Sequence, residues 1–389
     1  MTLQNKTVLV TGGTGFIGSR VVEKLALEHG ARVRVLVRDF SRAARIARLP
    51  IKLIAGDLID VAAVQRAVRG CDVVFHCAYD FSGDRERQRQ VSVQGSKNVA
   101  DAVLSERASR MAYVSTFTVY APMSDGDLTE ASAWPRSKNA YVMIKRETER
   151  LLLHMHKSRG LPVVVVQPTL VYGPFSPHWT MAITQQMTSG LLPLINHGTG
   201  YCNPVYIDDL ADAMILAATK PNISGESFLI SGETPVTWRE FYAAFESVLG
   251  IRSSIDITEE KLRQESQKRK QRPNTMSRLL TLARHPEVLE LLRTLPGVPT
   301  FVGLTKRLLS EDQWESLKSG SKNGMQPTAN NGVSGKSVHI PDELTLGMYR
   351  SKARVSIRKA KTLLGYNPQF DFERGMALTA RFIHWANLA

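Results

Sequence analysis

The chain has 389 residues, 43% of them hydrophobic, and a formal net charge of +14. This indicates a globular protein with one large domain or two smaller ones. No uninterrupted apolar run reaches membrane-spanning length, and the short polar lead before Lys6 leaves no room for a secretory signal. The three cysteines, at positions 71, 77 and 202, have neither the density of a disulfide scaffold nor the spacing of metal ligands. We therefore expect a cytoplasmic protein without a metal site.

The large positive charge favours anionic ligands or surfaces but does not identify one. Its densest stretch runs from Lys261 to Arg278, where basic residues accompany a single acid, Glu265. A solvated helix face or loop is the simplest interpretation of this tract. We expect a small-molecule substrate and no nucleic-acid partner.

The first half of the chain alternates strand-like and helix-like segments in the manner of repeated βαβ units. Strands are predicted at residues 6–11, 32–37, 52–54, 72–77, 110–115 and 162–167. Helices are predicted at residues 17–29, 61–68, 91–104 and 137–157, the last ended by Gly160. The pattern predicts an α/β fold with a doubly wound parallel sheet.

The alternation changes after Gly173 and Pro174, and we predict a first domain at residues 1–174 and a second region at residues 175–389. Residues 203–207 and 227–230 are short, apolar and strand-like. Each segment could return to the main sheet or pair within the second region, so the domains need not be contiguous.

A basic and flexible insert is predicted at about residues 251–346. It contains an amphipathic stretch at 279–309 and a Gly/Ser/Asn-rich linker at 319–337. Regular structure is predicted to resume at 354–364, and a last helix is predicted at 372–385.

A glycine-rich turn follows the first predicted strand directly and opens the first predicted helix. Side chains at its three glycines would block a phosphate group, whereas glycines let the backbone approach one. A helix N-terminus also presents unpaired N–H groups to negative charge. The motif predicts a dinucleotide site that includes Gly12, Thr14, Gly15, Phe16, Ile17 and Gly18.

The end of the second predicted strand bears on which dinucleotide binds. An acid there would accept the ribose hydroxyls of NAD, but the sequence has Arg38 followed by Asp39. A guanidinium pairs well with a 2′-phosphate, which favours NADP, while Asp39 keeps NAD as the alternative. Arg42 could add a second phosphate contact or lie on an exposed helical face.

Tyr141 and Lys145 lie four residues apart in the helix predicted at 137–157. Residues at i and i+4 share one helix face, so the lysine charge can favour the phenolate of a tyrosine whose ordinary pKa is about 10. The pair predicts a proton donor and acceptor that works near neutral pH.

The glycine turn and the Tyr-x-x-x-Lys pair together resemble the extended short-chain dehydrogenases/reductases, the NAD-dependent epimerase/dehydratase family. The resemblance covers residues 6 to about 250 and 350–389. It implies a Rossmann sheet with a smaller mixed α/β substrate-binding lobe. It also implies catalytic roles for Tyr141, Lys145 and Thr116, with Ser115 as the neighbouring candidate for the hydroxyl that orients the substrate oxygen. Further cofactor contacts are implied at Asp57, Leu58, Cys77, Ala78, Pro168, Thr169, Leu170 and Val171.

Two positions depart from the sugar-nucleotide epimerases of this family. Ser92 stands where many of them carry the Asn of a water relay, and Leu170 stands where they usually hold the nucleotide-sugar with an Asn. The string from Pro168 to Phe175 resembles dihydroflavonol reductases and 3β-hydroxysteroid dehydrogenases, whose substrates are apolar ring alcohols and ketones. We therefore predict an NADP-dependent oxidoreductase that interconverts a secondary alcohol and a ketone on a hydrophobic small molecule. A nucleotide-sugar epimerase or dehydratase with tightly bound NAD is the alternative.

Aromatic residues in loops at the strand ends predict an apolar, planar substrate. The candidates for lining its pocket are Tyr79, Phe81, Trp134, Phe175, His178, Trp179 and Tyr201, with Asn203 beside them. The amphipathic stretch at 279–309 leaves peripheral membrane contact as a hypothesis. A homodimer through the helices at 91–104 and 137–157 is an expectation from the resemblance.

Overall fold

The computed structural model describes residues 2–81, 84–271 and 337–389. The chain divides into two compact units. The first unit comprises residues 1–258 and 337–389, and the second comprises residues 259–336. Of the second unit, the structure describes the helix Glu259–Gln271.

Parallel strands of the first unit form a seven-stranded central sheet. They are β1 (Thr7–Thr11), β2 (Arg32–Val37), β3 (Lys52–Ala55), β4 (Val73–His76), β5 (Arg110–Val114), β7 (Val163–Pro168) and β11 (Ser227–Ile230). Their order across the sheet is β11-β7-β5-β4-β1-β2-β3. The inner strands β1, β4, β5 and β7 are buried along their whole length, which is why they are runs of valine and other apolar residues rather than alternating patterns.

Helices cover both faces of this sheet. The helices up to residue 249 are, in chain order, α1 (Phe16–Leu27), α2 (Val61–Val68), α3 (Arg85–Arg89), α4 (Gly95–Ser105), α5 (Ala140–Arg159), α6 (Ala182–Ser189), α7 (Ile207–Thr219) and α8 (Trp238–Leu249). After α9 (Glu259–Gln271), the first unit resumes with α10 (Glu343–Arg350) and α11 (Phe372–Trp385). Helices α2, α4 and α5 share one apolar core with the sheet. Helices α1 and α7 pack together and are joined by the ion pairs Arg20–Asp208 and Lys24–Asp212.

Three pairs of short parallel strands lie outside the central sheet in the described chain. They are β6 (Gly126–Leu128) with β13 (Ala353–Val355), β8 (Leu170–Tyr172) with β10 (Pro204–Tyr206), and β9 (Leu192–Leu194) with β12 (Ser254–Asp256). Each pair joins segments that are distant in the sequence. The C-terminal segment thereby returns to the body of the first unit.

The predicted α/β fold with a doubly wound parallel sheet is confirmed. Of the two short segments left open, residues 227–230 return to the main sheet beside β7, whereas residues 204–206 pair outside it with β8. The predicted boundary at residue 174 lies inside the first unit. The division into cofactor and substrate regions stays a prediction.

Two helix boundaries differ from the prediction, each for a local reason. The helix predicted at 91–104 is longer, because α3 continues through a π-helical turn, Gln90–Gln94, into α4. The helix predicted at 137–157 begins at Ala140, because the Asn139 side chain accepts a hydrogen bond from the Val142 N–H and caps it. Gly160 ends that helix with a φ of +71° as predicted.

Several predicted features lie outside the described residues. These are the amphipathic stretch at 279–309 and nearly all of the linker at 319–337, together with the end of the basic tract. In the described part of the chain, no helix combines the length and the apolar character needed to cross a membrane.

Candidate active site

The predicted site residues gather at the carboxyl ends of the central strands. The glycine turn follows β1, Ala78 follows β4, Thr116 follows β5, and Pro168 ends β7. Ligands of doubly wound sheets bind in the crevice at this edge. The strand order places β4 between β1 and β5, so a single strand separates the predicted cofactor turn from the predicted catalytic hydroxyl.

The glycine turn is folded so tightly that side chains are excluded from it. A Cβ on Gly12 would lie 2.7 Å from the Ala78 Cα, and Gly12 has a φ of +69°. A Cβ on Gly18 would lie 2.3 Å from the Gly12 carbonyl oxygen. Gly15 caps α1 and supplies no side-chain acceptor, and the first turn of α1 has no acid. The N–H groups that open α1 are therefore free of side-chain caps, which fits a pyrophosphate at this position.

A buried histidine, His76, connects the strand that precedes the turn to helix α4. His76 Nδ1 lies 2.6 Å from the Thr11 hydroxyl, and its Nε2 lies 2.7 Å from the Ser96 hydroxyl. Burial, with a smaller effect of the Lys145 charge, lowers the pKa of His76 to about 3. His76 is a neutral, fully paired core residue that ties β1 and β4 to α4.

Lys145 is the most unusual charged group of the site. It lies one turn after Tyr141 on α5, is only 5% exposed, and donates from Nζ to the Val114 carbonyl oxygen at 2.9 Å. The Nζ also lies 5.0 Å from the centre of the Tyr79 ring and 5.3 Å from that of Tyr113. Burial lowers the pKa of Lys145 to about 8, while the charge of Glu149 acts in the opposite direction. Lys145 is therefore mostly protonated at neutral pH, although its pKa lies close to that pH.

The expectation of a lowered Tyr141 pKa is wrong for this structure. Burial raises the pKa of Tyr141 to about 12, and a hydrogen bond with the Thr116 side chain acts in the opposite direction. The sequence shows the spacing from Lys145 but not the desolvation of the phenol. Tyr141 is therefore held as a phenol, the proton-donor form.

The structure separates the two candidate hydroxyls after β5. Thr116 contacts Tyr141 and Thr118 and caps the short 3-10 helix that follows. Ser115 instead donates to Glu149 Oε2 at 2.7 Å. Thr116 is therefore the hydroxyl placed beside Tyr141, and Ser115 belongs to a neighbouring buried network.

Sequence reasoning missed Glu149, which organises that network. The residue is 1% exposed, and its carboxylate accepts hydrogen bonds from Ser115, Gln167 and Ser227. Gln167 in turn accepts from the Tyr120 hydroxyl at 3.0 Å. The sequence did contain a signal for Glu149, because it follows Lys145 at i+4 and Tyr141 at i+8 and so shares their helix face.

The predicted contacts at the adenosine end cluster around Asp57. Arg38 lies 3.8 Å and Arg87 lies 3.9 Å from the Asp57 carboxylate, and both guanidinium groups are about half exposed. Asp39 is engaged elsewhere, since its Oδ1 accepts from the Ser41 N–H at 3.0 Å and from the Ser41 hydroxyl at 2.7 Å. Arg38 and Arg87 therefore lie together beside Asp57, while one carboxylate oxygen of Asp39 is engaged by Ser41. Arg87 was not among the predicted site residues.

The remaining predicted cofactor residues are held mainly by their backbones. Cys77 is half-buried, Leu58 is buried, and the Asn98 side chain donates to the Leu58 carbonyl oxygen. After β7, the Thr169 N–H donates to the Ile230 carbonyl oxygen, and Leu170 and Val171 continue as β8.

Only part of the predicted pocket lining meets the catalytic residues. The Tyr79 ring lies 5.1 Å from the Tyr141 ring and 4.7 Å from the Phe81 ring, and His178 lies 5.6 Å from Phe81. The other candidates have contacts elsewhere: Trp134 with Tyr120, Arg146 and Arg150, Phe175 with Phe382, Trp179 with Trp238, Tyr201 with Arg354, and Asn203 with Ala353 and Val355.

The sequence profile of the NAD dependent epimerase/dehydratase family matches residues 8–231. The chain belongs to this family. A 2-alkyl-3-oxoalkanoate reductase of Shewanella oneidensis is 29% identical over 243 residues, which are 59% of this chain. They are 62% of that relative, so the chain spans less than two thirds of its length. Cinnamoyl-CoA reductase 1 of Petunia hybrida is 30% identical over 272 residues, 62% of this chain and 79% of that protein.

Solved structures agree with the fold. A UDP-glucose 4-epimerase from Thermotoga maritima superposes with a TM-score of 0.67 over 98% of this chain and 99% of its own, at 19% identity. At that identity the likeness shows the fold alone. With the family match, the chain is an NAD(P)-dependent enzyme of the extended short-chain dehydrogenase/reductase type.

A first prediction separates Thr116 from Ser115. Thr116→Val should lower kcat/KM about 100-fold, because the hydroxyl beside Tyr141 is lost. Ser115→Ala should act mainly on thermal stability, because Glu149 loses one of its donors. Steady-state kinetics and thermal unfolding of both variants measure the two effects. A Ser115→Ala enzyme that folds normally but loses more activity than Thr116→Val would contradict the assignment.

A second prediction concerns the pH dependence of stability. The pKa of Lys145 is about 8 in the folded protein, against an ordinary value of 10.5. Between these pH values the unfolded chain binds more protons at Lys145 than the folded chain does, so the free energy of unfolding should rise with pH, by on the order of 3 kcal/mol. Lys145→Met should remove this rise.

The measurement compares thermal midpoints at pH 7 and pH 10 for wild type and Lys145→Met. Lys157→Met, at the exposed end of the same helix, is the matched control and should keep the wild-type pH dependence. Equal pH dependence in wild type and Lys145→Met would contradict the burial of the charge.

Proposed function

We propose that the enzyme is an NADP-dependent oxidoreductase that interconverts a secondary alcohol and a ketone on a hydrophobic small molecule. The observation that carries the proposal is the contact of Tyr141 with Thr116 on one side and with the Tyr79 ring on the other. A proton donor, a hydroxyl that can orient an oxygen, and an aromatic wall therefore meet at one point.

Tyr141, Thr116 and Lys145 each have a separate role in the proposed reaction. A nicotinamide cofactor held by the glycine turn would supply or accept the hydride at the substrate carbon. In the reductive direction, Tyr141 donates its phenolic proton to the substrate oxygen, while the Thr116 hydroxyl donates a hydrogen bond that orients this oxygen. The ammonium of Lys145, one helical turn away, offsets the negative charge that remains on Tyr141.

The aromatic wall supports an apolar substrate. Tyr79, Phe81 and His178 form a continuous row of ring contacts that begins at Tyr141. Burial lowers the pKa of His178, which favours the neutral ring. The two relatives described above are named as reductases, and their names are in keeping with a carbonyl substrate.

The arginines around Asp57 support NADP over NAD. The N–H and the hydroxyl of Ser41 both bind Oδ1 of Asp39 and so compete with ribose hydroxyls for this oxygen. Arg38 and Arg87 converge on Asp57 from different elements, with exposed guanidinium groups available to a 2′-phosphate.

The reaction is tested with a substrate panel. The protein is incubated with NADP⁺ or NAD⁺ and with steroid-like alcohols or nucleotide-sugars, and the absorbance of the reduced cofactor is followed. Net NADPH formation with an alcohol is expected. Turnover of a nucleotide-sugar without net reduction would replace the proposal with an epimerase or dehydratase.

Tyr141→Phe tests the mechanism, because it removes the proton that the substrate oxygen receives. Activity should fall at least about 100-fold. Tyr201→Phe is the matched control, since Tyr201 contacts Arg354 and not the catalytic residues. Undiminished turnover by Tyr141→Phe would refute the mechanism.

Arg38→Gln tests the cofactor preference. Its affinity for NADPH should fall about 10-fold or more, because a charge-assisted contact is lost, while its affinity for NADH should change little. Binding of 2′,5′-ADP and 5′-ADP, measured by calorimetry, gives a readout that is independent of activity. Arg32→Gln, at the opposite end of β2, is the control. Equal losses for both adenosine ligands would contradict the proposed role.

A further inference from the structure

Tyr79 contacts both catalytic side chains. It follows the end of β4 by three residues, at the same edge of the sheet as Thr116. Its ring meets the Tyr141 ring edge-on at 5.1 Å, and the Lys145 ammonium lies 5.0 Å from the ring centre. A ligand whose oxygen is held by Tyr141 therefore lies against Tyr79.

The hydroxyl of Tyr79 is buried without a hydrogen-bond partner among the described residues. Two other buried tyrosines are paired: the Tyr120 hydroxyl donates to Gln167 at 3.0 Å, and the Tyr366 hydroxyl donates to the Ser231 carbonyl oxygen at 2.9 Å. Leaving a buried hydroxyl unpaired costs stability. Phenylalanine would fill the same space without that cost, so packing alone does not account for a tyrosine at this position.

The described residues around Tyr79 do not accept a hydrogen bond from its hydroxyl. Phe81 lies against the ring, and His178, whose pKa is lowered by burial, lies beyond Phe81. The buried Asp80 beside Tyr79 acts on it through its charge, but neither Asp80 nor these rings give the Tyr79 hydroxyl a hydrogen bond. A polar atom that pairs with Tyr79 is therefore best supplied by the ligand that enters between the aromatic wall and Tyr141.

We propose that the Tyr79 hydroxyl donates a hydrogen bond to a second oxygen of the substrate, close to the carbonyl that Tyr141 protonates. Tyr79 is then a specificity-determining residue, and the preferred substrate is a ketone with another carbonyl oxygen nearby, as in a β-dicarbonyl compound. A site that hydrogen-bonds a substrate oxygen discriminates against an analogue that lacks it. This inference rests on the proposed function.

Thermal unfolding of the ligand-free protein tests the state of the hydroxyl. Tyr79→Phe should leave the midpoint unchanged or raise it, because an unpaired polar group is removed. Tyr120→Phe is the matched control and should lower the midpoint, because Gln167 loses its donor. A midpoint that falls as much in Tyr79→Phe as in Tyr120→Phe would overturn the inference.

A pair of ketones with the same carbon skeleton tests the second oxygen. The probes are 1-phenylbutane-1,3-dione and 4-phenylbutan-2-one, which lacks one carbonyl oxygen. Wild type should prefer the diketone, and Tyr79→Phe should reduce the ratio of the two kcat/KM values about 10-fold. Tyr120→Phe should keep the wild-type ratio. A ratio unchanged in Tyr79→Phe, or a loss confined to the affinity for NADPH, would overturn the inference.

The two proposals fail in different ways. If wild type reduces steroid-like ketones but neither phenyl ketone, the second-oxygen proposal fails and the oxidoreductase proposal stands. If wild type reduces no ketone of either set and turns over a nucleotide-sugar, the oxidoreductase proposal itself fails.

Discussion

Burial of the Lys145 charge is the constraint on which the arrangement of this site depends. A buried ammonium is stable only where hydrogen-bond acceptors and negative potential surround it. Here the end of β5 supplies the Val114 carbonyl oxygen, and the rings of Tyr79 and Tyr113 present their faces. Helix α5 must therefore pack against β5 in one register, and that register places Tyr141 beside Thr116.

Glu149 extends this constraint from the helix to the sheet. Its carboxylate lies one further turn along α5, and its three donors come from β5 and its extension, from β7 and from β11. Burial raises the pKa of Glu149, while these donors and the Lys145 charge act in the opposite direction. One helix face thus carries the proton donor, the cation and a carboxylate that ties three parallel strands together. Movement of α5 would disturb all three groups at once.

The features that sequence reasoning predicted well depend on local patterns. Buried valine runs define the strands, the glycine turn defines the start of α1, Gly160 ends α5 as predicted, and the last helix was placed at the correct residues. The features that it missed depend on burial and register. Ser115 and Thr116 are neighbours on an extended segment, so they point to opposite sides, but only the packing of α5 decides which one meets Tyr141. The Tyr141 pKa was misjudged because desolvation has no sequence signature.

This contrast between local patterns and burial explains why the cofactor end of the site is easier to predict from the sequence than the substrate end. The turn after β1 works through its backbone, and the close approach of Gly12 to Ala78 requires glycine. The substrate end is built from side chains that lie far apart in the sequence: Tyr79 and Phe81 follow β4, whereas His178 follows β8. No local pattern joins them, and Trp134, which is equally aromatic, packs instead on Arg146 and Arg150. A substitution among these few side chains can therefore change the substrate without disturbing either the cofactor turn or the catalytic helix.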